Sequence, residues 1–312
     1  MFYNMENLFD TIDDPHTSDQ EYLPNSKKHW NSYKYYTKLK NMSKVLIAAG
    51  EWDMPAIIGM CEIENKGVLV DLCKKTALRK FNYQIIHNDS PDPRGIDVAA
   101  LYQPDKIKIL SYKYIPISYD GKTKARTREI LQINAIANCD TFILFINHWP
   151  SRMGGEAKSS IKRFAAARSI RNQLDSIALQ NAGKNIILMG DFNDEPDDVS
   201  MTDSLVLHHK LLKNNKPIYT NLSQSFVKPI MTIGTHKYRN KWGVLDQCIV
   251  SNNLLNASSL LYTKPEALQI LDLDFITETN EKGRNPLRTF TGVKYTKGYS
   301  DHYPIVIDLY CK

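Results

Sequence analysis

A set of polar residues stands where apolar runs of the sequence meet loops. Asn4, Glu62, His148 and Asp191 each close such a run, whereas Asp246 and the pair Asp301-His302 each stand just before one. Antiparallel pairing sets the start of one strand beside the end of its neighbour, so these positions can share a rim. The bland reading of "GDFNDEPDD" (190–198) is a solvated turn, because Asp and Asn favour turns by themselves. Solvation alone does not explain polar strand ends drawn from the whole chain. Hydrolysis of a phosphate ester uses such a set. A hard cation, Mg²⁺ or Mn²⁺, takes oxygen ligands. Glu62 is the first choice for one, with Asp301 and Asn4 contributing directly or through water. Asp191 can hold or deprotonate an attacking water, and Asn193 can fix that water or a phosphoryl oxygen. His302 offers an imidazole whose tautomer Asp246 sets by accepting its second N–H. His148 and Arg128 can offset negative charge as it develops. The proton-accepting role is not divided between Asp191 and His302 by the sequence.

Positioning these residues needs a particular set of elements. Tyr35, Leu39, Met42, Leu46 and Ala49 recur at helical spacing over 33–49, with lysines expected on the other face. "PAIIGMCEIEN" gives a short buried strand, 56–61, and a helix follows over about 66–79. Strands are expected at "YQIIH" and "DVAALY". Segments 107–117, 129–137 and 141–147 are β-rich and close together, which suits antiparallel neighbours. A helix over 156–179 carries Ile161, Phe164, Ala167, Ile170, Leu174 and Ile177 on one face and basic residues opposite. Strands at "IILM", "QCIVS" and "PIVIDLY" complete the set, with irregular loops over 200–243. The residues predict a single α/β domain over 1–312 whose mixed, largely antiparallel sheets are covered by helices.

The motifs "YNMENLFD", "CEIEN", "NHWPSRMGG", "GDFNDEP", "LDQCIVS" and "YSDHYPI" resemble, in order, those of the endonuclease/exonuclease/phosphatase family. That superfamily of metal-dependent phosphoesterases includes deoxyribonucleases, repair nucleases and inositol-polyphosphate phosphatases. The resemblance spans Asn4 to His302. It implies a four-layer α/β sandwich, with two mainly antiparallel mixed sheets packed face to face and flanked by helices. It also implies metal ligation at Glu62 with Asn4 beside it, a water-positioning pair at Asp191 and Asn193, and a histidine–carboxylate pair at His302 and Asp246. Asp301 takes a metal or supporting place. His148 contacts phosphate, as does Arg128 in "TREIL", and Asp97 in "RGIDVAALY" orients His148. A nucleic acid is the leading substrate by this reading. The alternative is a lipid headgroup or another small phosphorylated compound, and a catalytically silent binding domain ranks last because the whole residue set is present.

Composition sets wider bounds. Apolar content of 42% and charged content of 24% are those of an ordinary globular chain, and no run reaches the roughly 18 apolar residues that span a bilayer. A net charge of +6 suits polyanionic partners, but nothing points to an obligate protein partner. The first residues read as a strand already under way, which leaves room for a trimmed export leader. The five cysteines, Cys61, Cys73, Cys139, Cys248 and Cys311, form no C-x-x-C pair, so reduced side chains are expected rather than zinc or disulfides. Of Glu62 and Glu64, Glu62 is expected to point inward. Asp194, Glu195, Asp197 and Asp198 are expected to cap or solvate their loop. Arg152, Arg163 and Arg168 offer a phosphate path, the last two equally a solvated helix face. "THKYRNKWG" (235–243) mixes cations with aromatics near Asp246, as a nucleic-acid contact or an ordinary loop would. His16, His29, His87, His208 and His209 carry no chemical context.

Overall fold

The apolar runs pair into two six-stranded sheets. Four strands of the first are β1 (Phe2–Leu8), β2 (Ile57–Ile63), β3 (Gln84–His87) and β4 (Asp97–Tyr102). Its order is Leu268–Ile270, Ile305–Ile307, β1, β2, β4, β3. The next strands in the chain are β5 (Ile107–Ile115), β6 (Ile130–Ala137), β7 (Asp140–His148), β8 (Asn185–Asp191) and β9 (Tyr219–Asn221). A hairpin of β10 (His236–Tyr238) and β11 (Lys241–Gly243) then precedes β12 (Asp246–Ser251). The second sheet runs β5, β6, β7, β8, β12, β9. This computed structural model describes residues 1–312 except 120–125, 182, 206–218 and 282, so His208, His209 and part of the 200–243 loops lie outside the described residues.

Pairing is antiparallel except for β1 with β2 and β7 with β8. Each parallel pair is bridged by a long crossover helix, as parallel strands require. These helices are α1 (Ser32–Ala48) and α3 (Glu156–Gln180), and α2 (Lys66–Lys75) follows β2. Asn31 and Asn65 cap α1 and α2 by accepting from the backbone N–H three residues on. The two sheets meet face to face: a Cβ built on Gly59 of β2 falls 3.0 Å from the Ile146 side chain of β7. A side chain there would press on Ile146 and force it to shift. Helix, sheet, sheet and helix thus stack in four layers.

Two helix faces differ from the sequence expectation. On α3 the buried stripe is Arg163, Ala166, Ala167, Ile170 and Leu174, while Ile161 is exposed. Arg163 lies on the inward face because Asp194 neutralises it there, Nε to Oδ1 at 2.6 Å. On α1, Lys38 is buried among the apolar residues rather than facing outward. Its ammonium donates to Thr289 Oγ1 at 2.6 Å and to the Tyr299 carbonyl, and lies 3.8 Å from Glu6.

The cysteine expectation holds for Cys61, Cys73 and Cys248, which are buried and free. It fails for Cys139 and Cys311, which form a disulfide across a sequence separation of 172. Cys139 sits at the turn between β6 and β7, and Cys311 on a terminal strand that pairs with Leu261–Tyr262. Their proximity is a product of the finished topology, and spacing in the sequence carries no trace of it. Closing so long a loop restricts the unfolded chain, and removing such a bond typically costs about 2–5 kcal/mol. Cys139→Ser/Cys311→Ser is therefore expected to melt well below the parent in a non-reducing thermal scan. Equal melting temperatures would show that the disulfide adds nothing to stability.

Candidate functional site

Strand register assembles the rim. Asp246 of β12 lies opposite Asp191 of β8, His148 of β7 lies beside Asp191, and Asn4 of β1 lies beside Cys61 of β2. Gly190 makes room for this. A Cβ there would fall 2.3 Å from the Asn147 carbonyl oxygen, so no side chain fits between β7 and β8 at the mouth of the site.

Asp191 is the hub. Its Oδ2 accepts from Asn4 Nδ2 at 3.1 Å and lies 3.8 Å from His148 Nε2 and 3.9 Å from His302 Nε2. Its Oδ1 accepts from the Asn193 backbone N–H at 2.9 Å. Burial pushes its carboxyl up to about 7, with Asp246 and Glu62 adding to the rise and His302 opposing it. His302 Nδ1 meets Asp246 Oδ2 at 2.6 Å. Burial alone would lower the imidazole, but Asp246, Asp191 and Asp301 together raise it well above its ordinary value. His302 is therefore a cation within a nest of carboxylates. His148 is the opposite case: burial, reinforced by Arg128, Arg94 and His302, holds it well below 6.5 and neutral. A neutral imidazole contributes a hydrogen bond rather than a charge.

Glu62 stands at a bulge where the register of β2 against β4 shifts, and its φ is +60°. Residues two apart in a regular strand share a face. The bulge breaks that rule and separates Glu62 from Glu64. Glu62 Oε2 accepts from the Asn7 N–H at 2.8 Å and Oε1 lies 3.8 Å from His148 Nε2, which places Glu62 at the rim as expected. Glu64 turns to the Asp10 N–H at 2.6 Å. Asp301 binds Arg288 at 2.9 Å. His302, Asp301 and His236 bring ligand atoms within 4.8 Å of one another, as do Asp191, Asp246 and His302. Oxygen donors predominate around the rim, with Asp246 Oδ1 buried and unpaired among the described residues. That donor set fits a hard divalent cation.

Several assignments need revision. Asp97 does not reach His148: it accepts from His87 at 2.9 Å and from the Ser90 N–H at 2.8 Å. The paired strand β3 supplies its partner, His87, and His148 Nδ1 has no hydrogen-bond partner among the described residues. Arg128 is held by Asp92 at 2.9 Å and the Trp149 carbonyl at 2.7 Å, with its Nε unpaired among the described residues. The Asn193 side chain donates to the Trp149 carbonyl at 2.8 Å, so its amide nitrogen is engaged by the chain itself. Asp194 and Glu195 do not solvate the loop. Asp194 pairs with Arg163 and Arg152, and Glu195 accepts from the Val244 N–H at 2.8 Å. Asp198 does cap the loop, accepting from the Glu195 N–H at 2.6 Å.

Sequence reasoning also missed residues. His236 packs its ring on His302, with centroids 4.6 Å apart. Glu6 links Lys38, Arg288 and the Thr289 N–H. The signal for this last network was a lysine, Lys38, falling on the apolar stripe of α1, where an unpaired ammonium would be intolerable.

The family described as endonuclease/exonuclease/phosphatase matches residues 1–311. No curated protein matches the chain. Among solved structures, a mannosyl-6-phosphatase of Bacteroides thetaiotaomicron is similar, with a TM-score of 0.60, 16% identity and coverage of 99% of this chain and 98% of that one. A second protein of that organism, described as an endonuclease/exonuclease/phosphatase family protein, gives a TM-score of 0.59 at 16% identity, covering 99% and 92%. The TDP2 of D. rerio, complexed with a single-strand DNA product, gives 0.56 at 14%, covering 88% and 93%. At these identities the likeness establishes the fold.

One pH effect follows from the rim. Burial pushes Glu64 up to about 8, from 4.5 when exposed. Its protonated form thus favours the folded state. This contribution is complete below about 4.5 and is lost as pH rises through about 8. Relative to the parent, Glu64→Gln is expected to gain stability as pH rises from 5 to 9, read as melting temperature in EDTA. A constant difference across that range would contradict the assignment.

Proposed function

Because the chain belongs to the endonuclease/exonuclease/phosphatase family, we propose that it hydrolyses phosphate esters with a divalent cation and that its substrate is a small phosphorylated compound. The observation that carries the reaction is the convergence of Asn4, His148 and His302 on one oxygen of Asp191. A buried carboxyl near neutrality can take a proton from water and release it again within one turnover. Asp191 is the residue so placed, and Asn4 and the Asn193 N–H hold its orientation. His302, kept charged and oriented by Asp246, donates to a phosphoryl oxygen and stabilises charge as it develops. His148 adds a neutral donor through Nε2, and Arg128 stands behind it. Glu62, Asn4 and Asp301 are the oxygen donors that would hold Mg²⁺ or Mn²⁺, which when bound polarises a phosphoryl oxygen.

The small-substrate reading is supported by the cations that would otherwise track a nucleic-acid backbone. Arg152 is bound to the Asn193 carbonyl, Asp194 and Asp198, and Arg163 is buried on Asp194. In the hairpin after Thr235, Lys237 donates to the Arg284 carbonyl and covers Trp242, which stacks on Tyr303. These groups are engaged by their own chain. A nuclease is the second reading, favoured by the net charge of +6 and by the outward Tyr238, Arg239 and Lys241. A fold does not choose between them.

The test is phosphate release from a panel of small phosphoesters beside nicking of supercoiled plasmid, each with Mg²⁺ or Mn²⁺ and with EDTA. The expected result is metal-dependent phosphate release with intact plasmid. Asp191→Ala and His302→Ala should each lower kcat by roughly 10²–10⁴-fold, and Glu62→Gln should raise the metal concentration required. Plasmid nicking that disappears in Asp191→Ala and weakens steeply with salt would install the nuclease instead. Undiminished hydrolysis by the variants would remove the site assignment.

A further inference from the structure

A recess of about 220 Å³ opens beside the rim, between β1 and the loops around 20–30 and 288–292. It shares walls with the candidate site. Asn7 lines it and holds Glu62 through its backbone N–H at 2.8 Å. Arg288 lines it and binds Asp301 at 2.9 Å. Glu6 lines it, and the Glu6 N–H donates to Asn4 Oδ1 at 2.9 Å. Through Asn7 and Arg288 the recess adjoins the position proposed for the phosphate, on the side of Glu62 and Asp301. Pockets that bury drug-sized ligands measure roughly 300–1,000 Å³, so this one accepts a single ring and excludes a duplex.

Its lining indicates what kind of ring. Each cation already has a carboxylate. Lys28 lies 2.8 Å from Glu21, and Arg288 lies 3.2 Å from Glu6 in addition to Asp301. A second phosphate would therefore find little uncompensated positive charge. A neutral polar group meets a better match. Lys28 and Arg288 have N–H bonds to offer beyond their ion pairs, Glu6 has lone pairs, and the Asn7 carboxamide, which makes no hydrogen bond among the described residues, offers both. Tyr22 and Phe290 also line it, but their ring faces are already covered: Phe9 stacks on Tyr22 at 4.4 Å, and the Lys28 ammonium lies 4.3 Å from the Tyr22 ring centre and 5.5 Å from that of Phe290. Donors and acceptors side by side in a one-ring volume are the recognition chemistry of a polyhydroxylated ring.

We propose that this recess binds the hydroxylated, sugar-sized alcohol of a phosphate monoester, and so selects the substrate of the adjoining site. The proposal rests on the phosphoesterase reading. The experiment compares kcat/KM for hexose 6-phosphates and for n-butyl phosphate, two alkyl monoesters that differ in the hydroxylated ring. The parent chain is assayed beside Lys28→Trp, which fills the recess, and Lys28→Met, which removes the ammonium without filling it. Melting temperatures verify that both variants fold. The parent should prefer at least one hexose phosphate by tenfold or more. Lys28→Trp should reduce that preference at least tenfold, chiefly through KM, and Lys28→Met should reduce it less. A parent that hydrolyses both esters alike, or a Lys28→Trp chain that loses both in proportion, would overturn the recess while leaving the phosphoesterase reading intact. Failure to hydrolyse any ester with either metal would remove the phosphoesterase reading itself.

Discussion

Burial of the Asp191 carboxylate is the constraint on which the rim depends. Taking a carboxylate out of water is costly unless hydrogen bonds and opposite charge replace the lost solvation. Here the replacements come from three directions: Asn4 from the first sheet, the Asn193 N–H from the following turn, and His302 from the loop before the last strand of the first sheet. The Asp191 backbone is fixed as well, since its carbonyl accepts from the Trp149 N–H at 2.9 Å. None of these partners is local except Asn193. The carboxylate is therefore satisfied only when both sheets are stacked and in register, so the packing of the sandwich and the assembly of the site are one event.

The rim also holds backbone strain. Glu6, Asn7, Glu62 and Asn193 all have positive φ, from +47° to +60°. Such conformations in residues other than glycine cost of order 1–3 kcal/mol each and persist where surrounding contacts over-determine them. The contacts are visible here. The Asn7 N–H is anchored on Glu62, the Glu6 carboxylate on Thr289 and Arg288, and the Asn193 side chain on Trp149. What the strain achieves is redirection. A regular β2 would send Glu62 and Glu64 to the same face, and two carboxylates together would repel; the bulge gives the site one and leaves the other to Asp10.

How much of this was legible in the sequence follows from the range of the interactions. The ends of β2, β7 and β8 were legible within a residue because an apolar run that stops at Glu62, His148 or Asp191 is a local pattern, and the helices α1 and α3 were legible within a residue or two for the same reason. Asn4 was misread as a strand end, since β1 continues through it to Leu8. The pairing of Cys139 with Cys311 was not, because it joins residues whose proximity exists only after both sheets form. Asp97 was given to His148 on motif order, but β3 delivers His87 to it first. Arg163 was read as part of a phosphate path or a solvated helix face, and Asp194 separately as capping or solvating its loop. Each makes sense inside only with the other, and a sequence lists them 31 positions apart. The common failing is long-range charge pairing, which periodicity does not encode.

That same pairing separates two roles for positive charge. The chain's net +6 acts at a distance and draws anions of every size toward the surface. Selection occurs at contact, where the charges are already matched: Lys38 and Arg288 to Glu6, Arg288 to Asp301, Arg128 to Asp92, Arg152 and Arg163 to Asp194. A ligand that approaches such a surface gains little from bringing further charge, and must compete with existing partners to use these cations. On the proposed reading it would gain more by supplying one phosphate to His302 and neutral donors and acceptors to the remainder. Arg288 ties the two requirements together, since one guanidinium holds Asp301 at the rim and Glu6 in the wall of the recess. On the proposed reading, that shared guanidinium would join the wall that meets the alcohol to the rim that meets the phosphate.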